Sequence, residues 1–316
     1  MKEWIAAFAC LLCGGMAAAQ DFPAKPVRLV VPFPPGGSTD IVARAIQPGL
    51  AQRLGQPVVI EHKPGAGSSI GLEMVARASP DGHTIVLVSP NVVVNPHLYK
   101  LSFDPMKDLA PVTMAVQSYY ILVVSPASTA RTVADVVALA KAQPGQLTYV
   151  SWVIGAHSHL AGVLLNRAAG ISTVHVPYKG TVLAQTDLMG GQINMMFDVI
   201  STAMPHLRSG RLRAIAVAGS QRSPQVPEVP TVGESLPGYS VEGWLGVLAP
   251  AGTRPEVVAR LQRDIAAALH EPAVQQRLLD SGYGKGGNAT EEFARLLKGD
   301  FEKYGQLIRE RGIKAE

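Results

Sequence analysis

Cysteine is almost absent: the chain of 316 residues has two, Cys10 and Cys13. Both sit in an apolar run, Trp4 to Ala19, that follows Lys2 and Glu3 and is too short and too rich in small residues to span a bilayer. That pattern is expected of a secretory leader, with Ala17-Ala18-Ala19 supplying the small side chains for a cut after Ala19. A lipid anchor at either cysteine is the competing reading, but neither follows a Leu-Ala-Gly type of sequence. With the leader removed, the chain from Gln20 onward holds no thiol. Disulfides, thiolate metal sites and cysteine nucleophiles are then excluded, and Cys10-Leu11-Leu12-Cys13 drops out as a redox motif. Aromatic residues are also scarce at 6%, and the net charge of +4 is spread along the chain. Nucleic-acid binding needs a clustered basic face with stacking rings, so that class is set aside. No later stretch offers some 18 consecutive apolar residues, so no further membrane span is expected.

What is present is an alternation of short apolar strands and helices. Val27–Val31 reads as a strand buried on both faces, broken by Pro32-Phe33-Pro34-Pro35-Gly36-Gly37. Ser38, Thr39 and Asp40 offer N-cap oxygens to a helix whose Val42, Ile46, Leu50 and Leu54 face one core, with a kink expected at Pro48 and a stop at Gly55. Further strands are expected over 58–61, 84–88, 121–124, 147–150, 173–176, 193–197, 212–218 and 241–248. Helices are expected between them, one capped by Thr132 with Asp135 three residues on. The strongest helical patterns are 255–269 and 291–311. This grammar predicts an α/β fold with mostly parallel sheets, and the length predicts two lobes. The expected boundaries are a leader at 1–19, a first lobe from 20–121 and 247–316, and a second lobe at 122–246.

Chemistry is expected where strands give way to helices. Pro34-Pro35-Gly36-Gly37-Ser38 lies at such a junction, where uncapped amides carry about half a positive charge and glycine lets an anion approach the backbone. A tight turn with no ligand is the bland alternative. A P-loop is excluded for want of its lysine, and Gly65-x-Gly67-x-x-x-Gly71 misses the dinucleotide fingerprint by one residue, so Gly67 reads as part of another turn lining a cleft. His157-Ser158-His159 invites a metal reading, but no third ligand stands at the right spacing, and Ser158 serves better as a helix cap. No Gly-x-Ser-x-Gly elbow supports a hydrolase. Asp198, at the end of its strand, either meets a polar ligand group or caps the next helix.

Taken in order, several motifs resemble the periplasmic substrate-binding receptors of tripartite tricarboxylate transporters, the Bug family. They are Pro26-Val27-Arg28 through Gly37 with Asp40 and Ala43-Arg44, Lys63-Pro64-Gly65-Ala66-Gly67, and Pro80-Asp81-Gly82-His83-Thr84. His159-Leu160-Ala161-Gly162, Val176-Pro177-Tyr178-Lys179-Gly180, Asp187-Leu188 with Gly190-Gly191-Gln192, Met196-Phe197-Asp198 and Ala249-Pro250-Ala251-Gly252-Thr253 follow. The resemblance spans essentially the whole mature chain. It implies a type II periplasmic-binding-protein fold with a hinged cleft, no cofactor, no metal and no catalysis. It further implies a monomer that delivers a small carboxylate to membrane transporter subunits; presentation to a sensor protein, or a secreted α/β hydrolase, are the alternatives.

The implied ligand contacts are Phe33, Pro35, Gly36, Gly37, Ser38 and Thr39 from one lobe. From the other they are Ser151, Gly155, Ala156, Ser158 and His159, with Asp198 at the distal end and Tyr178 lining the cleft. The family usually shows Ser-x-Gly-x-Gly-Ser/Thr where this chain reads Ser151-Trp152-Val153-Ile154-Gly155-Ala156. Val153 disfavours positive φ, Ala156 lacks a hydroxyl and Trp152 adds a ring. These departures point to a pocket that favours a more apolar or aromatic carboxylate, or that binds weakly.

Overall fold

In a computed structural model describing residues 22–152 and 154–314, β1 (Val27–Val31) is buried at every position but Arg28. It runs parallel between β2 (Val58–His62) and β3 (Thr84–Val88). The expected leader and Val153 lie outside the described residues. β1 and β3 end where the apolar runs predict. The helix after β1, α1 (Ser38–Leu54), stops at Gly55 in the left-handed conformation and runs unbroken through Pro48, so the expected kink does not interrupt it.

Each lobe holds a five-stranded sheet. The first has the order β2-β1-β3-β10-β4, with β4 at Leu109–Ser118 and β10 at Gly243–Pro250. In the second, β5 (Tyr120–Val124), β6 (Thr148–Ser151), β7 (Val174–Pro177), β8 (Met195–Val199) and β9 (Arg213–Val217) take the order β7-β6-β8-β5-β9. The two orders are equivalent. In each, the fourth place belongs to a strand antiparallel to both neighbours, and that strand adjoins a crossing between lobes. Ser118 still pairs in the first sheet and Tyr120 already pairs in the second, so the outward crossing is at Tyr119. Val241 still donates to Ala218 of the second lobe, and Gly243 already pairs with Ser118, which puts the return at Glu242. The sequence-based boundaries at 121/122 and 246/247 are corrected accordingly. The first was missed because no Gly or Pro punctuates residues 112–124, and the second because Val241 to Leu248 reads as one extended run.

The helices cover both faces of each sheet. Between the first-lobe strands lie α2 (Ser69–Ala76), entered through a 3-10 turn at Ala66–Ser68, then α3 (Asn91–Leu98) and α4 (Pro105–Asp108). The second lobe has α5 (Val133–Ala142), α6 (His157–Ala169), α7 (Thr181–Met189), α8 (Ile200–Arg208) and α9 (Val232–Ser235). After β10 the chain adds α10 (Pro255–Leu269), α11 (Pro272–Asp280) and α12 (Thr290–Arg311), which pack back on the first lobe. Leu29, Ile46, Val247 and Leu261 meet on one face of the first sheet, and Val30, Val86, Leu248 and Phe293 on the other. Each such side chain, withdrawn from water, contributes about 1.5–3 kcal/mol. Thr132 and Asp135 form the expected reciprocal cap on α5. The other two expected caps do not form: Gly37 precedes α1 and Ala156 precedes α6, neither with a side-chain cap, and Ser158 lies inside its helix.

Candidate ligand-binding cleft

Parallel strands followed by helices bring their carboxyl ends, and the helix starts, to one edge of each sheet. The two edges face each other across a cavity of about 670 Å³ walled by both lobes. Its first wall is the loop after β1. Gly36 has φ +83, which only glycine adopts cheaply, and its N–H donates to Asp40 Oδ2 at 2.9 Å. Asp40 also accepts from Arg44 Nε and contacts His62 Nε2, at 2.9 Å each. Burial works to raise this carboxyl, yet the bonds from Arg44, Gly36 and His62 outweigh it and hold it below the usual carboxylate range. Asp40 thus fastens the loop from behind, while the first turn of α1 faces the cavity without a side-chain cap. Of the expected residues, Phe33, Pro35, Gly37, Ser38 and Thr39 line the cavity; Gly36 is exposed at its rim.

The second wall is the turn after β2, where Gly65, Ala66, Gly67 and Ser68 all have positive φ. Two of these are not glycine, which stores strain of about 1–2 kcal/mol each. Asn95 Nδ2 braces the turn by donating to Gly67 O at 2.8 Å. Gly67 lines the cavity as expected, beside Ser68, whose buried hydroxyl has no protein partner.

The wall from the second lobe comes from a different helix than the sequence implies. It is α7, entered through Tyr178-Lys179-Gly180, again without a side-chain cap. A Cβ at Gly180 would stand 3.9 Å from Pro34 Cγ, so the two lobes also approach each other at these loops. Tyr178 lines the cavity as expected, its hydroxyl donating to Asp187 at 2.5 Å, and that bond pushes its pKa up to about 12. Lys179, Val182 and Leu183 were missed. The signal was available in the strand, glycine, hydroxyl, helix order that Val176–Thr181 shares with residues 31–39. Tyr120 and Trp152 form part of the floor, their rings stacked at 5.9 Å. Nothing in the sequence marks Tyr120, because it is placed by the crossing.

Ser151, Gly155, Ala156, Ser158 and His159 are buried and lie off the cavity wall. A Cβ on Gly155 would collide with Leu98 of α3, and Tyr99 Oη donates to Ile154 O at 3.0 Å, so this loop is packed against the first lobe. Its amide is consumed too: Gly155 N–H donates to His159 Nδ1 at 3.1 Å. Burial lowers His157 to about 3 and His159 to about 4, and burial together with His159 lowers His175 to about 3, so all three rings are neutral. His159 and His175 stack face to face at 4.0 Å, and no metal-holding group of three is found among the described residues. Ser151 Oγ meets His175 Nε2 at 2.7 Å, yet Ser151 is fully buried.

The distal-contact reading of Asp198 is corrected. β8 runs two residues further than predicted, to Val199, and draws Asp198 fully inside. There it accepts from Gln185 Nε2 at 2.6 Å, Val199 N at 2.8 Å and Thr202 Oγ1 at 2.7 Å. Burial raises it to about 6, against the lowering effect of these bonds. The capping alternative is not met either: the N-cap position of α8 is Val199, without a side-chain cap, and Asp198 reaches the first turn only through the Thr202 hydroxyl.

Comparison with known proteins extends this picture. Residues 42–313 match the family described as tripartite tricarboxylate transporter family receptor. A protein of Pseudomonas sp. (strain P51), described as a UPF0065 protein in the tcbD-tcbE intergenic region, is 38% identical over 297 residues, covering 93% of this chain and 88% of its own. The solved structure of the periplasmic binding protein BugD aligns with a TM-score of 0.86 at 32% identity, covering 93% of this chain and 100% of its own. An R. palustris protein solved with adipate aligns with a TM-score of 0.89 at 30% identity, covering 93% and 99%.

Proposed function

The chain belongs to the family of tripartite tricarboxylate transporter receptors, and on that basis we propose that it is a periplasmic receptor that captures a small carboxylate and delivers it for transport. In this reading the leader is removed after Ala19, and the mature monomer works without cofactor or catalytic step. It meets membrane transporter subunits, with a sensor protein as the other candidate partner. The observation that carries the ligand class is the convergence of helix starts. α1 and α7 begin at the cavity from opposite lobes, and neither has a side-chain cap, so their first-turn amides are free to donate to carboxylate oxygens. The related R. palustris protein holding adipate supports the same class.

The mechanism follows from the two crossings. Single residues at Tyr119 and Glu242 join the sheets, so the lobes swing about them and the ligand bridges the amides of both. Closure over the carboxylate removes water and strengthens those hydrogen bonds. A thermal-shift screen of mono-, di- and tricarboxylates tests this: a ligand at a hundred times its Kd adds about 2.7 kcal/mol. No shift with any carboxylate would refute the reading. The contact between Ser151 and His175 supplies the one observation favouring a hydrolase. Turnover of generic esters that Ser151→Ala abolishes would replace the receptor with an enzyme.

A further inference from the structure

We propose that the preferred ligand is an aromatic monocarboxylate, recognised by a fixed stack of rings on the cleft floor. This deepens the carboxylate-receptor reading and rests on it. Four aromatic side chains reach the cavity, Phe33 from the first lobe and Tyr120, Trp152 and Tyr178 from the second. The only charged side chain on its wall, among the described residues, is Lys179. No arginine is there to form the paired hydrogen bonds that usually fix a second carboxylate at a set distance from the first.

The floor is also preorganised. Trp152 stacks on Tyr120 with ring planes 15° apart, and Tyr120 stacks on His157 behind it at 5.9 Å. His157 in turn meets the Tyr304 ring edge-on at 4.5 Å, so the column runs from the cavity into the packing between α6 and α12. A ring held this way loses little freedom when a ligand stacks on it. The indole face of Trp152, half-buried at the cavity, is the free end of the column. The carboxylate bridges the amides of α1 and α7, and the arene lies against Trp152. Of the three departures in the second-lobe loop, this assigns the preference to Trp152; Ala156 is fully buried away from the cavity.

The test is calorimetric titration of the full chain with benzoate and 3-phenylpropanoate against adipate and malate. An aryl acid is expected to bind at least ten-fold tighter than either aliphatic diacid. Trp152→Ala is expected to weaken the aryl acid at least ten-fold more than it weakens adipate, while Trp152→Phe keeps most of the aryl affinity. Aryl binding to the chain from Gln20 onward, which lacks Trp4, should also quench indole fluorescence, and Trp152→Phe should remove that quenching, because Trp244 is buried and bonded to Asp300. Tighter binding of adipate or malate, or an equal loss of all ligands in Trp152→Ala, overturns this proposal and leaves the receptor reading standing. Failure of every carboxylate to bind overturns both.

Discussion

The starts of α1 and α6 look alike in sequence and end differently. Each follows a strand, passes through glycine and reaches a serine at the helix entrance. At α1 the acidic residue one turn in, Asp40, takes the Gly36 amide, Arg44 and His62, which leaves the following amides on the cavity. At α6 the residue one turn in is His159, which takes the Gly155 amide, while Leu98 closes over the loop. A helix start therefore offers an anion site only if nothing in the chain has claimed or covered its donors. The second lobe supplies its open start one unit later, at α7.

Acid should break the comparison most strongly. His157, His159 and His175, all around the α6 entrance, are neutral in the fold with pKa values of about 3, 4 and 3, against 6.5 unfolded. The unfolded chain binds more protons in that interval, so their contribution is complete above pH 6.5. It is lost as pH falls toward 4, by about 1.4 kcal/mol per pH unit for each withheld proton. Asp198, raised to about 6, binds its proton earlier in the folded state and offsets part of this loss between pH 6 and 4. Urea midpoints from pH 7.5 to 4 should fall accordingly, and His157→Phe should flatten the slope. A pH-independent midpoint would show that these rings are not buried.

Next comes Gly155→Val. It adds a side chain against Leu98 at a positive φ and should cost more than about 3 kcal/mol in chemical denaturation. Its counterpart Gly36→Ala meets nothing within 4 Å and carries only the backbone penalty, about 1 kcal/mol. Equal losses would mean that the α6 loop is as open as the α1 loop. Asp40→Asn falls between them, at about 2 kcal/mol, since it removes a charged acceptor with several donors. It should also weaken carboxylate binding in calorimetry, because the loop loses its fastening. The smallest effect belongs to Ser158→Ala. Its hydroxyl is buried without a partner, so removal should be neutral or stabilising by up to about 1 kcal/mol, with ligand affinity unchanged. A ten-fold loss of affinity there would restore Ser158 to the site that the family resemblance implies.

Local patterns were the legible part of the fold. β1 and β3, the Gly55 stop and the Thr132–Asp135 cap depend on neighbours a few residues apart, and the chain states them openly. The turn from Pro34 to Ser38 in the first wall was legible for the same reason, and the family resemblance added Phe33 and Thr39. What stayed hidden depends on long-range contact. Glu242 lies within a run that reads as one strand and Tyr119 lies just before another, so neither crossing is marked, and Asp198 is sealed by Gln185 and Thr202, which only the packed second sheet brings to it. Positive φ at Ala66 and Ser68 is carried by residues with no preference for it. Conversely, the fit of Leu98 against Gly155 joins positions more than fifty residues apart.

The placement of β10 sets an order of assembly. The second lobe is one continuous stretch, closed by residues 120–241, whereas β3 and β4 share no neighbour until Gly243–Pro250 slots between them. During synthesis the later-encoded half can therefore finish first, and the earlier half waits as two fragments for a strand made after its partner is complete. Such distant pairing is slow. The cleft becomes competent only when nearly the whole polypeptide has emerged, which keeps a truncated product from holding ligand.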